Sequence, residues 1–78
     1  MQLYLLDGAR LRQLREEAGL SQEELSAMVG QRKGWVRELE PGSVAQAEDT
    51  GEEVYASVET IWNLARALEV SPTVLLKH

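Results

Sequence analysis

Residues 20–42 read LSQEELSAMVGQRKGWVRELEPG and predict two short helices joined by a tight turn. Ser21 is suited to cap the first of these helices, and Glu24 three residues later completes a capping box. The helix is therefore expected to begin at Gln22. Gly30 supplies the left-handed residue that ends it. The turn and the second helix follow directly.

Apolar residues at helical spacing predict the inward face of each helix in this pair. They are Leu25, Met28 and Val29 in the first helix, and Val36 and Leu39 in the second. The outward face of the second helix combines cations, an aromatic ring and a carboxylate: Arg32, Lys33, Trp35, Arg37 and Glu38. Such a mixed face is typical of a helix that reads another molecule.

The same reasoning places helices at 9–18, 22–29, 33–40, 58–69 and 72–77 of a single domain. Gly19 ends the first helix, and Ser57 caps the fourth. The fourth helix has an apolar stripe that is expected to be buried: Val58, Ile61, Leu64, Ala65 and Leu68. Trp62 lies beside this stripe, where core packing, the neighbouring insertion and a subunit contact are the alternatives. Residues 2–5 favour an edge strand or a packed tail, and a strand there needs a partner in this chain or in a second copy.

Composition excludes several classes of protein. The chain has 78 residues, 44% of them hydrophobic, which suits one small globular domain. It has no Cys, and its single His is the last residue, so neither a Cys-based metal site nor a histidine-based active site is expected. No nucleophile constellation or Gly-rich phosphate loop occurs. We expect a cytoplasmic, non-enzymatic protein without cofactor, metal or membrane span.

The formal net charge of −5 disfavours nucleic acid at first sight. Four of the carboxylates, however, fall in one short segment: Glu48, Asp49, Glu52 and Glu53. Without them the formal charge of the rest of the chain rises to −1. Between residues 30 and 42 the cations outnumber the carboxylates. The sequence thus predicts an acidic molecule with a locally basic helix.

The run LRQLREEAGLSQEELSAMVG, followed by VRELEPG and later by SVETIWNLARALEVSPTVLL, resembles the phage-repressor helix-turn-helix family of the Xre/Cro type. The resemblance implies an all-α, five-helix lambda-repressor-like fold that binds double-stranded operator DNA. Residues 43–56 form an insertion relative to that family, for which a small β-hairpin or ordered loop with an acidic tip is expected. A solvated loop, a dimer element and a docking site for a basic protein partner are the alternatives for its role.

The resemblance also implies roles for individual residues. Gln22 would hold a DNA phosphate at the start of the second helix, and an Arg15–Glu40 ion pair would clamp the first helix to the third. The residues facing the major groove would be Arg32, Lys33, Gly34, Trp35, Arg37 and Glu38. Two of these depart from the family's pattern, since Arg32 stands where Ser or Thr usually caps the third helix and Gly34 brings no side chain to a base.

Two functions follow as hypotheses. The first is sequence-specific transcriptional regulation, as a repressor that acts as a homodimer, and an antitoxin-type autoregulator is one form of it. The apolar C-terminal residues 74–76 would suit the dimer seam in such proteins. The second is a protein-interaction module that keeps the fold and binds a partner through its acidic surface. Salt-dependent binding to promoter DNA distinguishes the two hypotheses.

Overall fold

The computed structural model describes residues 2–40 and 54–77. Strand β1 (Leu3–Leu6) is followed by helices α1 (Gly8–Glu17), α2 (Gln22–Met28) and α3 (Trp35–Leu39). Strand β2 (Val54–Ser57) then leads into helix α4 (Val58–Leu68) and a 3₁₀ helix (Pro72–Leu75). The described chain is thus mostly helical, with four α-helices and a small sheet in place of the predicted all-α, five-helix architecture. Residues 43–53 of the predicted hairpin or loop lie outside the described residues.

The N-terminal strand has its partners within the same chain. β1 pairs antiparallel with β2, with Tyr4 opposite Ala56 and Leu6 opposite Val54. Along its other side, Leu6 forms an isolated bridge with Leu76. β1 therefore lies between β2 and the C-terminal segment. The alternative of a strand that needs a second copy for its partner does not apply to this one.

The prediction of a fifth α-helix at 72–77 is wrong. Pro72–Leu75 forms one short 3₁₀ helix, and Leu76 is already extended, with φ −88° and ψ 134°. The extended residues form backbone hydrogen bonds with the N-terminal segment, since Lys77 N donates to Leu5 O at 3.0 Å. Leu75 is completely buried in the chain's own core. It is therefore not available for the predicted dimer seam.

The core draws on every helix and on both strands. Its buried apolar residues are Leu6, Leu11, Leu25, Val36, Ala56, Ile61, Leu64, Ala65, Leu68 and Leu75.

Two residues that were predicted to face the core are exposed to solvent instead. Met28 is 55% exposed and Val58 is 50% exposed. Adjacent helical residues lie about 100° apart, and Val29 rather than Met28 continues the face that Leu25 begins. Val58 is the first residue of α4, ahead of the turn that packs on the core. Trp62 is also half-exposed, at 52%.

Caps and glycines set the helix boundaries. Ser21 accepts from Glu24 N while the Glu24 side chain accepts from Ser21 N, which confirms the predicted capping box. Ser57 caps α4 by accepting from Thr60 N. Gly30, at the end of α2, has φ +74°, a backbone conformation that residues with a side chain rarely adopt. Asp7 caps α1, since its carboxylate accepts a hydrogen bond from Arg10 N at 3.1 Å.

Candidate nucleic-acid interface

A buried hydroxyl joins α2 to α3. Ser26 is completely buried, and its Oγ donates to Gln22 O at 2.9 Å and accepts from Val36 N at 3.0 Å. Val36 lies in the first turn of α3, where backbone N–H groups have no partner within the helix. Ser26 supplies that partner and sets the position of α3 against α2. Sequence reasoning missed this residue, although a small polar side chain beside Leu25 on the inward face was a signal for it.

A buried ion pair fixes the far end of α3 against α1. Arg15 Nε lies 2.8 Å from Glu40 Oε2, and Arg15 Nη2 lies 3.2 Å from Glu40 Oε1. The Glu40 side chain is completely buried and that of Arg15 is 10% exposed. Arg15 Nη1 also donates to Leu20 O at 2.6 Å, in the turn between α1 and α2. One guanidinium therefore ties together α1, the following turn and the end of α3.

Gln22 belongs to the same network. Its Nε2 donates to Glu40 Oε1 at 3.0 Å. Glu40 thus accepts hydrogen bonds from side chains of both α1 and α2, so the start of α2 and the end of α3 are held at a fixed separation. The side chain predicted to hold a phosphate is partly buried and anchored to the clamp. Its proposed contact with DNA starts from this anchored position.

Helix α3 is shorter than the predicted span of 33–40. It begins at Trp35, with Gly34 before it and no side-chain cap. Arg32 and Lys33 therefore precede the helix, in a turn closed by a hydrogen bond from Trp35 N to Arg32 O at 3.0 Å. The physical reason lies in the residues themselves, because Arg32 supplies no capping oxygen and Gly34 is a poor helix former.

The outer side of this region presents four exposed charged side chains, which we call the α3 face: Arg32, Lys33, Arg37 and Glu38. Trp35 is partly buried and packs against the hydrophobic core. The α3 face is thus backed by the packing of Val36 and Trp35 on the core and by the Arg15–Glu40 pair, while its charged side chains are exposed.

Two of the cations on this face are paired with carboxylates. Arg32 Nη2 lies 2.6 Å from Glu38 Oε1, and Lys33 Nζ lies 3.7 Å from Glu23 Oε2. The carboxylates of Glu38 and Glu23 therefore partly neutralise the local excess of positive charge that the sequence predicts. Exposed pairs of this kind contribute little to stability.

Glu38 also affects the ionisation of its partner. The hydrogen bond from Arg32, and secondly the negative charge of Glu38, raise the pKa of the Arg32 guanidinium above its ordinary value. An arginine is fully charged at physiological pH even without this effect.

The sequence of these helices and of the segments that follow them matches a known protein family. A family model described as a helix-turn-helix domain matches residues 8–77. The chain belongs to this helix-turn-helix family. Membership indicates a DNA-binding regulator, in a family that is typically non-enzymatic. Neither the curated proteins nor the solved structures gave a match.

The helix-turn-helix domain shows neither a membrane helix nor a metal cluster in residues 2–40 and 54–77. No helix there is long and apolar enough to cross a membrane. No group of three or more acidic, His or Cys side chains in the same part of the chain could hold a metal ion. The acidic residues 48–53, for which docking of a basic protein partner is one of the alternatives, lie outside the described residues.

Proposed function

We propose that the protein is a sequence-specific DNA-binding transcriptional regulator of the Xre/Cro type, which represses transcription in the cytoplasm as a homodimer. Its α3 face enters the major groove of operator DNA. Arg32 reads base edges, Lys33 contacts a phosphate, and Arg37 contacts a phosphate or a base. Gln22, at the start of α2, holds the adjacent phosphate backbone. The antitoxin-type autoregulator is the form of this function in which the operator lies upstream of the protein's own gene.

The single observation that carries the proposal is the support behind the α3 face. Val36, in the first turn of α3, is completely buried, and Glu40, at the end of α3, forms an ion pair with Arg15. A helix that enters a groove must hold its side chains in register with the base pairs, and a face on a fixed helix does this better than one on a loop. The charged groups, in contrast, are exposed.

A homodimer follows from the geometry of recognition. One α3 helix covers only a few base pairs, whereas two helices related by a two-fold axis read two half-sites about 34–36 Å apart. Nuclease footprinting should therefore show two protected half-sites separated by one DNA turn. A single protected half-site at saturating protein would contradict the homodimer and leave the DNA-binding proposal in place.

The experiment that tests the proposed function is a titration of DNA from upstream of the gene against a scrambled duplex of equal length, at several salt concentrations. A regulator should prefer the upstream DNA, and its affinity should fall steeply between about 50 and 200 mM salt because binding releases counterions. Equal and weak binding to both duplexes at every salt concentration would refute the proposal.

The alternative function, a protein-interaction module, is supported by the net charge of −5 and by the carboxylates that accompany Arg32 and Lys33. Under this alternative, the acidic surface binds a basic protein partner. Replacing Lys33 and Arg37 by Ala would then leave partner binding intact. Under the leading proposal the same double variant loses operator binding.

A further inference from the structure

The side chain of Arg32 follows a defined path across the start of α3. A Cβ atom built onto Gly34 would lie 3.7 Å from Arg32 Nη1, so the guanidinium rests directly over this glycine. From there Nη2 reaches Glu38 Oε1 at 2.6 Å. Arg32 therefore lies along the outer surface of α3, held at its far end by a carboxylate from the helix itself.

The pair is placed for contact with another molecule. The side chains of Arg32 and Glu38 are 63% and 54% exposed, so neither is used to fill the core. The guanidinium has five N–H donors in a planar fork. Glu38 engages one nitrogen of that fork, and in the described part of the chain Arg32 makes no other side-chain hydrogen bond. The guanidinium therefore keeps donors that a base could engage, on a side chain that is mostly exposed.

We propose that Glu38 is a positioning residue that holds the Arg32 guanidinium across Gly34, so that Arg32 reads a guanine at one position of each half-site. Guanine presents two acceptors, O6 and N7, in the major groove, and an arginine fork matches them in a bidentate contact. A long arginine side chain loses rotational freedom when it binds a base, and the bond to Glu38 removes part of that freedom in advance. The inference rests on the proposed function.

This assignment differs from two other roles for Glu38. A carboxylate that reads cytosine N4 directly would impose a preference at a base pair of its own. A carboxylate that only repels phosphates would weaken binding to all sequences alike. A positioning residue instead imposes its preference at the position read by Arg32, and at no other.

The test is selection of binding sites from a random duplex library by the wild-type protein and by Arg32→Lys, Glu38→Ala, Glu38→Gln and Lys33→Ala. Affinities are then measured for the selected site and for sites in which each guanine is changed to adenine or to 7-deazaguanine, which lacks N7. Circular dichroism and thermal unfolding check the fold of each variant, which we expect to be unchanged because the replaced residues are exposed.

We expect Arg32→Lys to lose roughly 10-fold or more of the discrimination for one guanine. Glu38→Ala should lose discrimination at that same guanine, while its affinity for random DNA stays equal or rises because a negative charge has been removed. Glu38→Gln, which keeps an acceptor for the guanidinium, should recover part of the discrimination. Lys33→Ala, the control, should weaken binding to all sites without changing the selected guanine.

Three outcomes would overturn the inference alone. In the first, Arg32→Lys changes the discrimination at none of the guanines in the selected site. In the second, Glu38→Ala keeps full discrimination at the guanine read by Arg32. In the third, Glu38→Ala loses discrimination only at a different base pair. A wild-type protein that selects no common sequence would remove the proposed function, and the inference with it.

Discussion

Arg15 and Glu40 form a two-bond ion pair between α1 and the end of α3, with Nε 2.8 Å from Oε2 and Nη2 3.2 Å from Oε1. Glu40 is also bonded to Gln22 at the start of α2. Helices α1, α2 and α3 thus meet at one buried carboxylate. The position of the α3 face depends on this junction and on the Ser26 hydroxyl.

Replacing Glu40 by Ala should cost about 3–5 kcal/mol of unfolding free energy, because it removes the buried counter-charge of Arg15. Only the exposed Glu16 carboxylate, 3.7 Å away, would then remain beside the guanidinium. Urea unfolding followed by circular dichroism measures this loss of stability. The matched control is Arg12→Ala, which breaks the exposed Arg12–Glu16 pair and should cost no more than about 1 kcal/mol. Similar small losses in both variants would mean that the buried pair does not hold the domain together.

Replacing Ser26 by Ala should cost about 1–3 kcal/mol, because the buried N–H of Val36 loses its acceptor. Ser71→Ala is the control, since the Ser71 hydroxyl is exposed and caps no helix through its side chain. Hydrogen exchange adds a local measurement: the amide of Val36 should exchange faster in Ser26→Ala than in the control. An unchanged exchange rate would show that Ser26 does not anchor α3.

Replacing Met28 by Gln should change stability by no more than about 0.5 kcal/mol, because the side chain is 55% exposed. Leu25→Ala, in the same helix, removes a completely buried side chain and should cost about 2–5 kcal/mol. Thermal unfolding of the two variants compares them directly. A large loss of stability in Met28→Gln would show that Met28 packs in the core, as its position in the sequence first suggested.

Replacing Lys33 or Arg37 by Ala should weaken DNA binding without affecting stability. If each side chain contacts a phosphate, each variant should reduce the slope of log affinity against log salt by about 0.9. Fluorescence anisotropy over a range of salt concentrations measures the slope. Arg12→Ala, which removes the same charge from α1, should leave it unchanged. An equal decrease in all three variants would indicate a general effect of net charge.

The strongest local signals predicted their elements well. Ser21 with Glu24, and Gly30 after them, specify the start and end of α2, because capping depends on residues only a few positions apart. The Arg15–Glu40 pair was expected only from the family resemblance, since a contact between residues so distant in sequence leaves no periodic signal. The carboxylate partners of Arg32 and Lys33 could not be predicted from the sequence either, because they depend on the positions of α2 and α3 in the folded chain.

The errors have a common physical cause. Start signals and apolar residues suggested a helix at 72–77. The extended backbone instead lets Lys77 N donate to Leu5 O and Leu75 O accept from Asp7 N, bonds that a helix could not offer. β1 itself was placed correctly within one residue, but its pairing with β2 and Leu76 is tertiary. Likewise, Met28 and Val58 were assigned to the core by residue type, whereas the angle round the helix and the position at its end leave them exposed.

The most direct test of the central claim, that the α3 face binds DNA, is an NMR titration of the ¹⁵N-labelled protein with its selected duplex. The largest chemical-shift changes should occur at the amides from Gln31 to Glu38 and near Gln22 at the start of α2. The amides of β1 and of the 3₁₀ helix should change little. Shifts confined to the sheet and α4, with residues 31–38 unperturbed at saturation, would contradict it.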